Sequence, residues 1–175
     1  MDRVRSCTGA HGVHAAVRLV RLQPFDAAQL AELMSWFPDE GACRIWGGPG
    51  FRFPFTPATF RQDAKLDTLS TWALVDDDGG LAGFGQYYLR LGRCHLGRLA
   101  IAPAMRGRGI GSELVHELCR RGAAGLGVDS FSLFVMPGNE RALRLYARLG
   151  FQPMTYPELS PGFEGAIYMI KSQPQ

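Results

Sequence analysis

Arg106-Gly107-Arg108-Gly109-Ile110-Gly111 joins a strand-like apolar run, ending at Ala102-Pro103, to an amphipathic stretch, and three alternating glycines at such a joint leave few folds open. Glycine adopts backbone angles that other residues avoid and lets the main chain approach a ligand closely. The first N–H groups of the following helix have no partner inside it and carry partial positive charge. The joint is therefore a cradle for an anion, and a pyrophosphate fits it. Two common phosphate loops do not match. The dinucleotide fingerprint G-x-G-x-x-G needs a glycine where Ser112 or Leu114 stands, and the nucleotide-triphosphate loop needs Lys and a hydroxyl where Ser112 and Glu113 follow Gly111. Taken alone, the hexapeptide is equally compatible with an ordinary glycine-rich connection.

A second segment decides between these readings. The apolar run Phe131 to Met136 and the breaker Pro137-Gly138 precede Asn139 to Phe151, which reads as strand, turn and helix. Ala142, Leu145, Tyr146 and Leu149 fall at i, i+3, i+4 and i+7, and Gly150 stops the helix just past the last of them. Asn139 and Tyr146 are seven positions apart, so at roughly 3.6 residues per turn they share a face and can touch one ligand.

R-x-x-G-x-G after a strand ending in Pro103, followed by N-x-x-A-x-x-L-Y-x-x-L-G-F, resembles the Gcn5-related N-acetyltransferase (GNAT) superfamily. The resemblance is strong over residues 93 to 151 and rests on element order alone over 17 to 92. It implies a mixed α/β fold with a mostly antiparallel central sheet flanked by helices, and an acetyl-CoA-dependent N-acyltransferase. It also implies that the cradle amides hold the CoA pyrophosphate and that the preceding strand lends backbone groups to pantetheine. Carried onto this sequence, the CoA-binding residues are Leu99, Ile101, Arg106, Gly107, Arg108, Gly109, Gly111 and Ser112, with Asn139 beside them. Tyr146 matches the helix tyrosine that protonates the leaving thiolate, and the Leu99 N–H is the implied oxyanion donor.

Acetyl transfer to an amine needs a neutral nucleophile. An alkyl amine of pKa about 10.4 costs about 4.6 kcal/mol to deprotonate at pH 7, so a base is expected nearby. His95, four positions before Leu99 and on the same strand face by period two, is the candidate, at the place where the histone acetyltransferases of this superfamily carry glutamate. A histidine satisfied by a backbone carbonyl is the alternative reading. Cys94 and Cys119 read as core rather than as nucleophiles. Arg141, Arg144 and Arg148 read as solvated helix surface, with contact of one of them to a CoA phosphate as the alternative.

At 175 residues and 46% hydrophobic the chain suffices for one core and is short for two. One domain is expected over 17 to 175, after a flexible extension over 1 to 16. A net charge of +3 lacks the footprint of a nucleic-acid binder. Four cysteines without C-x-x-C spacing argue against a zinc site and a disulfide framework; the pair His11 and His14 lacks further ligands, and no metal is expected. The unpaired cysteines lead to an expected reducing cytoplasm; no segment reaches membrane-helix length, so no membrane partner is expected, with a homodimer left open.

Upstream, Val17 to Leu22 reads as a strand, Phe25 to Trp36 as a helix capped by Asp26, and a shorter helix follows Pro38. Leu69 to Val75 and Leu81 to Arg90 read as a hairpin turning at Asp76 to Gly80, with Gln152 to Tyr156 and Ala166 to Ile170 closing the sheet. Ile45 to Phe55 is an aromatic loop whose glycines and prolines preclude a regular helix. It either walls an amine pocket or pins itself to the core. The acceptor stays open between protein N-termini, polyamines and small amines, and a non-catalytic acyl-CoA-binding module is the alternative function.

Overall fold

Val20–Pro24 (β1), Ser70–Asp76 (β2), Leu81–Arg90 (β3) and Arg93–Ile101 (β4) pair in succession as an antiparallel run. The computed structural model describes residues 20–157 and 165–172; residues 1 to 16, with Cys7, His11 and His14, lie outside them, as does the expected start of β1 at Val17. The β2–β3 turn forms because Asp76 Oδ1 accepts from the Asp78 and Gly80 amides at 3.2 and 2.8 Å while Gly79 takes φ 81°.

Ser130–Val135 (β5) lies parallel to β4, which requires a crossover, and Ile110–Leu126 (α4) supplies it. Ile167–Ser172 (β7) and the short Gln152–Pro153 (β6) close a seven-stranded sheet of order β1-β2-β3-β4-β5-β7-β6, parallel only at β4·β5. Strand pairing stops at Pro153, earlier than the expected Tyr156. Instead the Tyr156 hydroxyl accepts from Arg90 Nε at 3.0 Å.

Helices cover both faces. On one, α4 buries Ile110, Leu114, Val115, Leu118 and Cys119 against the sheet. It comes so close that a Cβ added at Gly122 would stand 2.3 Å from Cys94 Sγ. On the other, Leu30–Ser35 (α1), Glu40–Gly47 (α2) and Pro57–Ala64 (α3) surround an aromatic cluster in which Trp46 stacks on Phe37 at 4.2 Å and on Phe60 at 5.4 Å and meets Phe84 at 5.8 Å. Asp26 caps the entry to α1 as expected, with Ala28 N donating to its Oδ1 at 2.8 Å. Glu140–Arg148 (α5) follows β5.

Two departures lie in and just after the aromatic segment. Helix α2 runs through Gly47, so Ile45 and Trp46 are helical and the break comes only at Gly48, φ 89°. Gly47 is tolerated because the Phe51 ring occupies the place of its Cβ, 2.3 Å away. Helix α3, unread in the sequence, is set by capping chemistry rather than by an apolar stripe. Thr56 and Thr59 exchange a capping box and Pro57 takes the first turn.

Candidate active site

Strands β4 and β5 pair at only three positions, Cys94 with Phe131, His95 with Ser132 and Leu96 with Leu133. Beyond Leu96 they part, leaving β4 backbone groups without a strand neighbour on that side. The diversion has a cause in β4. Phe84 and Gln86, two residues apart on β3, oppose Ala100 and Gly97, three apart on β4, so one residue is extra. Arg98 sits in this bulge at φ 51°, a left-handed conformation that costs a non-glycine residue about 1–3 kcal/mol. Its surroundings hold it there. Trp46 Nε1 donates to the Arg98 carbonyl at 2.8 Å, and the Arg98 guanidinium donates to Gln86 Oε1 at 3.1 Å and to the Asp63 carbonyl at 3.0 Å.

The extra residue flips side-chain parity, and this corrects the expectation that His95 and Leu99 share a strand face. Leu99 leans toward α4, since a Cβ at Gly85 would meet Leu99 Cδ2 at 2.8 Å and Leu118 Cδ1 at 2.5 Å. His95 points the other way. It packs between Tyr88 and Phe134 at 5.1 and 5.2 Å, with Nδ1 at 2.9 Å from Ser132 Oγ. The partner is thus a side-chain hydroxyl.

The parted strands open a cleft of about 930 Å³ that runs from the start of α4 and α5 to the α1–α2 connection. Leu99, Ile101, Arg106, Gly107, Gly109, Gly111, Ser112, Asn139, Tyr146 and His95 all line it, whereas Arg108 is exposed and does not. The three glycines do separate jobs. Gly107 and Gly109 stand at φ 83° and 84°, which a Cβ would strain. Gly111 has ordinary angles but leaves room for α5, since a Cβ there would lie 3.1 Å from Leu145 Cδ2. Gly109 is also the N-cap of α4 and offers no side-chain cap; Ser112 N donates back to the Gly109 carbonyl at 2.9 Å, so the helix opens with the Ile110 and Gly111 amides uncapped. Positive-φ turns, uncapped amides and cleft-lining Arg106, Arg141 and Arg148 fit a diphosphate-bearing donor.

Asn139 caps α5 through Oδ1, which accepts from Ala142 N at 3.2 Å, and it faces the same cleft. Tyr146 is buried, edge-on to Phe151 at 6.0 Å, and burial pushes its phenol above the ordinary range, keeping it protonated. Burial, with the charge of Arg90, holds His95 down at about 3. Burial raises the thiols of Cys94 and Cys119 to about 12, so neither offers a thiolate near pH 7. Both lie in the core.

Two arginines expected on the solvated surface lie in the cleft, and further cleft residues were not expected there. Arg141 and Arg148, seven apart on α5, line the cleft, while Arg144 between them pairs with Glu140 at 3.1 Å on the solvent side. The i, i+7 spacing was the available signal. Arg98, Tyr88 and Ser35 to Pro38 carried none, because a bulge and a loop packing bring them in. The aromatic segment packs on the core, and one of its rings also reaches the cleft. Trp46 lines the cleft while Phe51 and Phe55 pack on Phe60 at 5.1 and 5.0 Å. Among the described residues no helix is long and apolar enough to cross a membrane, and no three His, Cys, Asp or Glu gather as a metal group.

Comparison with known proteins gives a consistent result. The family model described as the acetyltransferase (GNAT) family matches residues 30–151. A candidate ribosomal protein bS18-alanine N-acetyltransferase of Bacillus subtilis (strain 168) is 28% identical over 142 residues, covering 79% of this chain and 82% of its own. A thialysine N-epsilon-acetyltransferase of Mus musculus is 35% identical over 92 residues, 49% of this chain and 54% of its own. Among solved structures, the aminoglycoside acetyltransferase AAC(6')-Ib with coenzyme A superposes at TM-score 0.69 with 20% identity, over 89% and 95% of the two chains. Spermidine N-acetyltransferase from Vibrio cholerae with CoA and spermine superposes at 0.67 with 16% identity, over 88% and 95%.

Proposed function

The chain belongs to the acetyltransferase (GNAT) family and is an acetyl-CoA-dependent N-acyltransferase, and from that premise we propose that it acetylates a primary amine by direct attack within a ternary complex. One observation carries the reading: a single cleft holds the uncapped start of α4, the parted edge of β4 and the Tyr146 side chain. In this assignment Gly107 to Ser112 and Arg106 bind the CoA diphosphate, with Arg141 and Arg148 beside them. Leu99 and Ile101 offer backbone groups to the pantetheine arm. Leu99 N–H donates to the oxygen on which charge develops, Tyr146 O–H supplies a proton to the departing sulfur, and Asn139 fixes the helix that carries Tyr146. The acceptors named for the relatives, an alanine of a ribosomal protein, thialysine, spermidine and aminoglycosides, are amines and support the reaction class. We keep the reducing cytoplasm as the proposed location, which suits the free thiols of Cys43, Cys94 and Cys119.

His95 enters this proposal with a smaller role than the sequence suggested. A conjugate acid near 3 falls about seven pKa units below that of an alkylammonium, so His95 holds the amine proton poorly. We assign that proton to solvent in the open cleft and His95 to the cleft wall. Its low pKa has a stability consequence with a definite sign. The unfolded chain takes up a proton as pH falls below the ordinary 6.5 and the folded chain does not until near 3. Stability is therefore full above 6.5 and declines toward acid. Between pH 7 and 5 His95 should account for about 2 kcal/mol of lost stability. Denaturant unfolding at both values should show that loss shrinking in His95→Gln, while the acidic limb of kcat/KM stays in place. A limb that moves in the variant would restore His95 as the base.

Thiol release from acetyl-CoA across a panel of primary amines tests the proposed reaction. Release that depends on an amine is expected. Tight CoA binding with no release for any amine would contradict it and return the non-catalytic module to consideration.

A further inference from the structure

The charges along the cleft are one-sided. Among its described lining residues there is no Asp or Glu, whereas Arg44, Arg98, Arg106, Arg141 and Arg148 all contribute. Three of these belong to the α4–α5 end, where the reading above puts the diphosphate. Arg98 is different. It stands next to Leu99 and its side chain leaves β4 on the face of His95 and Tyr88, away from α4. The guanidinium is part-buried and donates only to neutral oxygens, Gln86 Oε1 and the Asp63 carbonyl, and its Nε is buried without a partner.

No described carboxylate lies within 4.0 Å of Arg98. Asp63 is near enough to act through space, but its carboxylate is taken by Arg52, whose Nε and Nη2 donate to it at 2.9 and 2.6 Å. Buried cations are normally matched by an anion, and of the five N–H donors of this guanidinium two are used and the one on Nε is buried, which leaves one on each terminal nitrogen. The missing charge is thus one residue from the amide assigned to the acetyl oxygen, where the acceptor must come. Trp46 fixes the backbone of the same residue by holding its carbonyl.

We propose that the acceptor is an amine that also carries a carboxylate a few bonds from its nitrogen, and that Arg98 receives that carboxylate. The inference rests on the acetyl-transfer reading and narrows its substrate class. A guanidinium–carboxylate pair in a partly dehydrated cleft is a charge-assisted, bidentate contact, strong enough for discrimination of about tenfold or more. Polycations are disfavoured by the same lining, since a second ammonium would meet arginine instead of carboxylate.

The experiment compares kcat/KM per neutral amine, which cancels the lower basicity of an amino acid's nitrogen, for pairs that differ by a carboxylate: phenylalanine against phenethylamine, alanine against ethylamine, with spermidine as the polycation. The carboxylate-bearing member of each pair should be preferred by about tenfold or more, and spermidine should be the poorest acceptor. In Arg98→Gln that ratio should fall to near one, and Arg98→Lys should restore part of it; the ratio cancels any loss common to both amines. Phenylpropionate, which lacks the amine, should compete with the amino-acid acceptor on the wild-type protein, a measurement that needs no variant. A wild-type ratio near one, preference for spermidine, or a ratio unchanged in Arg98→Gln overturns the proposal while leaving acetyl transfer standing. Absence of thiol release with every amine removes both.

Discussion

Tyr146→Phe should lower kcat by about 10²- to 10³-fold while CoA affinity changes by less than about threefold. The substitution removes one oxygen and keeps the ring that packs edge-on against Phe151, so the helix that carries it should hold its place. What disappears is a proton donor. Burial raises the phenol above its ordinary range, so at neutral pH the O–H is present in essentially every molecule, and the leaving sulfur is the group that needs it. Single-turnover rates alongside calorimetric CoA affinities separate the two roles. Equal losses in rate and in affinity would make Tyr146 a packing residue, and a rate within a few-fold of wild type would assign the proton to solvent.

Gly109→Val should weaken CoA binding by about 10- to 100-fold. Gly109 stands at φ 84° with nothing within 4 Å of where its Cβ would be, so the obstacle is backbone strain and not space inside the protein. A β-branched residue at such angles costs about 1–3 kcal/mol, and the backbone relieves that cost by turning the first amides of α4 away from the cleft. Gly109→Ala should lose less, because one methyl is strained less than a branched side chain. Because strain also lowers fold stability, the decisive comparison is between CoA and pantetheine. The loss should fall on CoA and spare the ligand without a diphosphate. Unchanged CoA affinity in Gly109→Val would contradict the cradle.

Much of the fold was legible because it is written locally. The hairpin at Asp76 to Gly80, the cap at Asp26, the stripe of α4 and the stop at Gly150 each depend on residues within a turn of one another, where side-chain chemistry acts directly on the backbone. The Gly107–Gly111 turn was legible for the same reason. What escaped depends on partners far along the chain. The bulge at Arg98 is secured by Trp46, 52 positions away, and by Gln86 across the strand pair, so period-two counting from His95 to Leu99 fails at a point no local window reveals. Helix α3 escaped because its signal was the Thr56–Thr59 box and not periodicity. Arg141 and Arg148 looked like solvent-facing charge until α5 was seen to border the cleft. The acidity of His95 was beyond sequence too, since it reflects burial between Tyr88 and Phe134 with Arg90 nearby.

Recognition of the acetyl donor depends most on the main-chain amides after Arg106 holding a diphosphate. Calorimetric titration of the folded protein with CoA, set beside pantetheine, tests this directly. Two or more charge-assisted hydrogen bonds to the diphosphate predict saturable one-to-one binding of CoA at least about 100-fold tighter than pantetheine. No heat with CoA, or equal affinity for the two ligands, would contradict it.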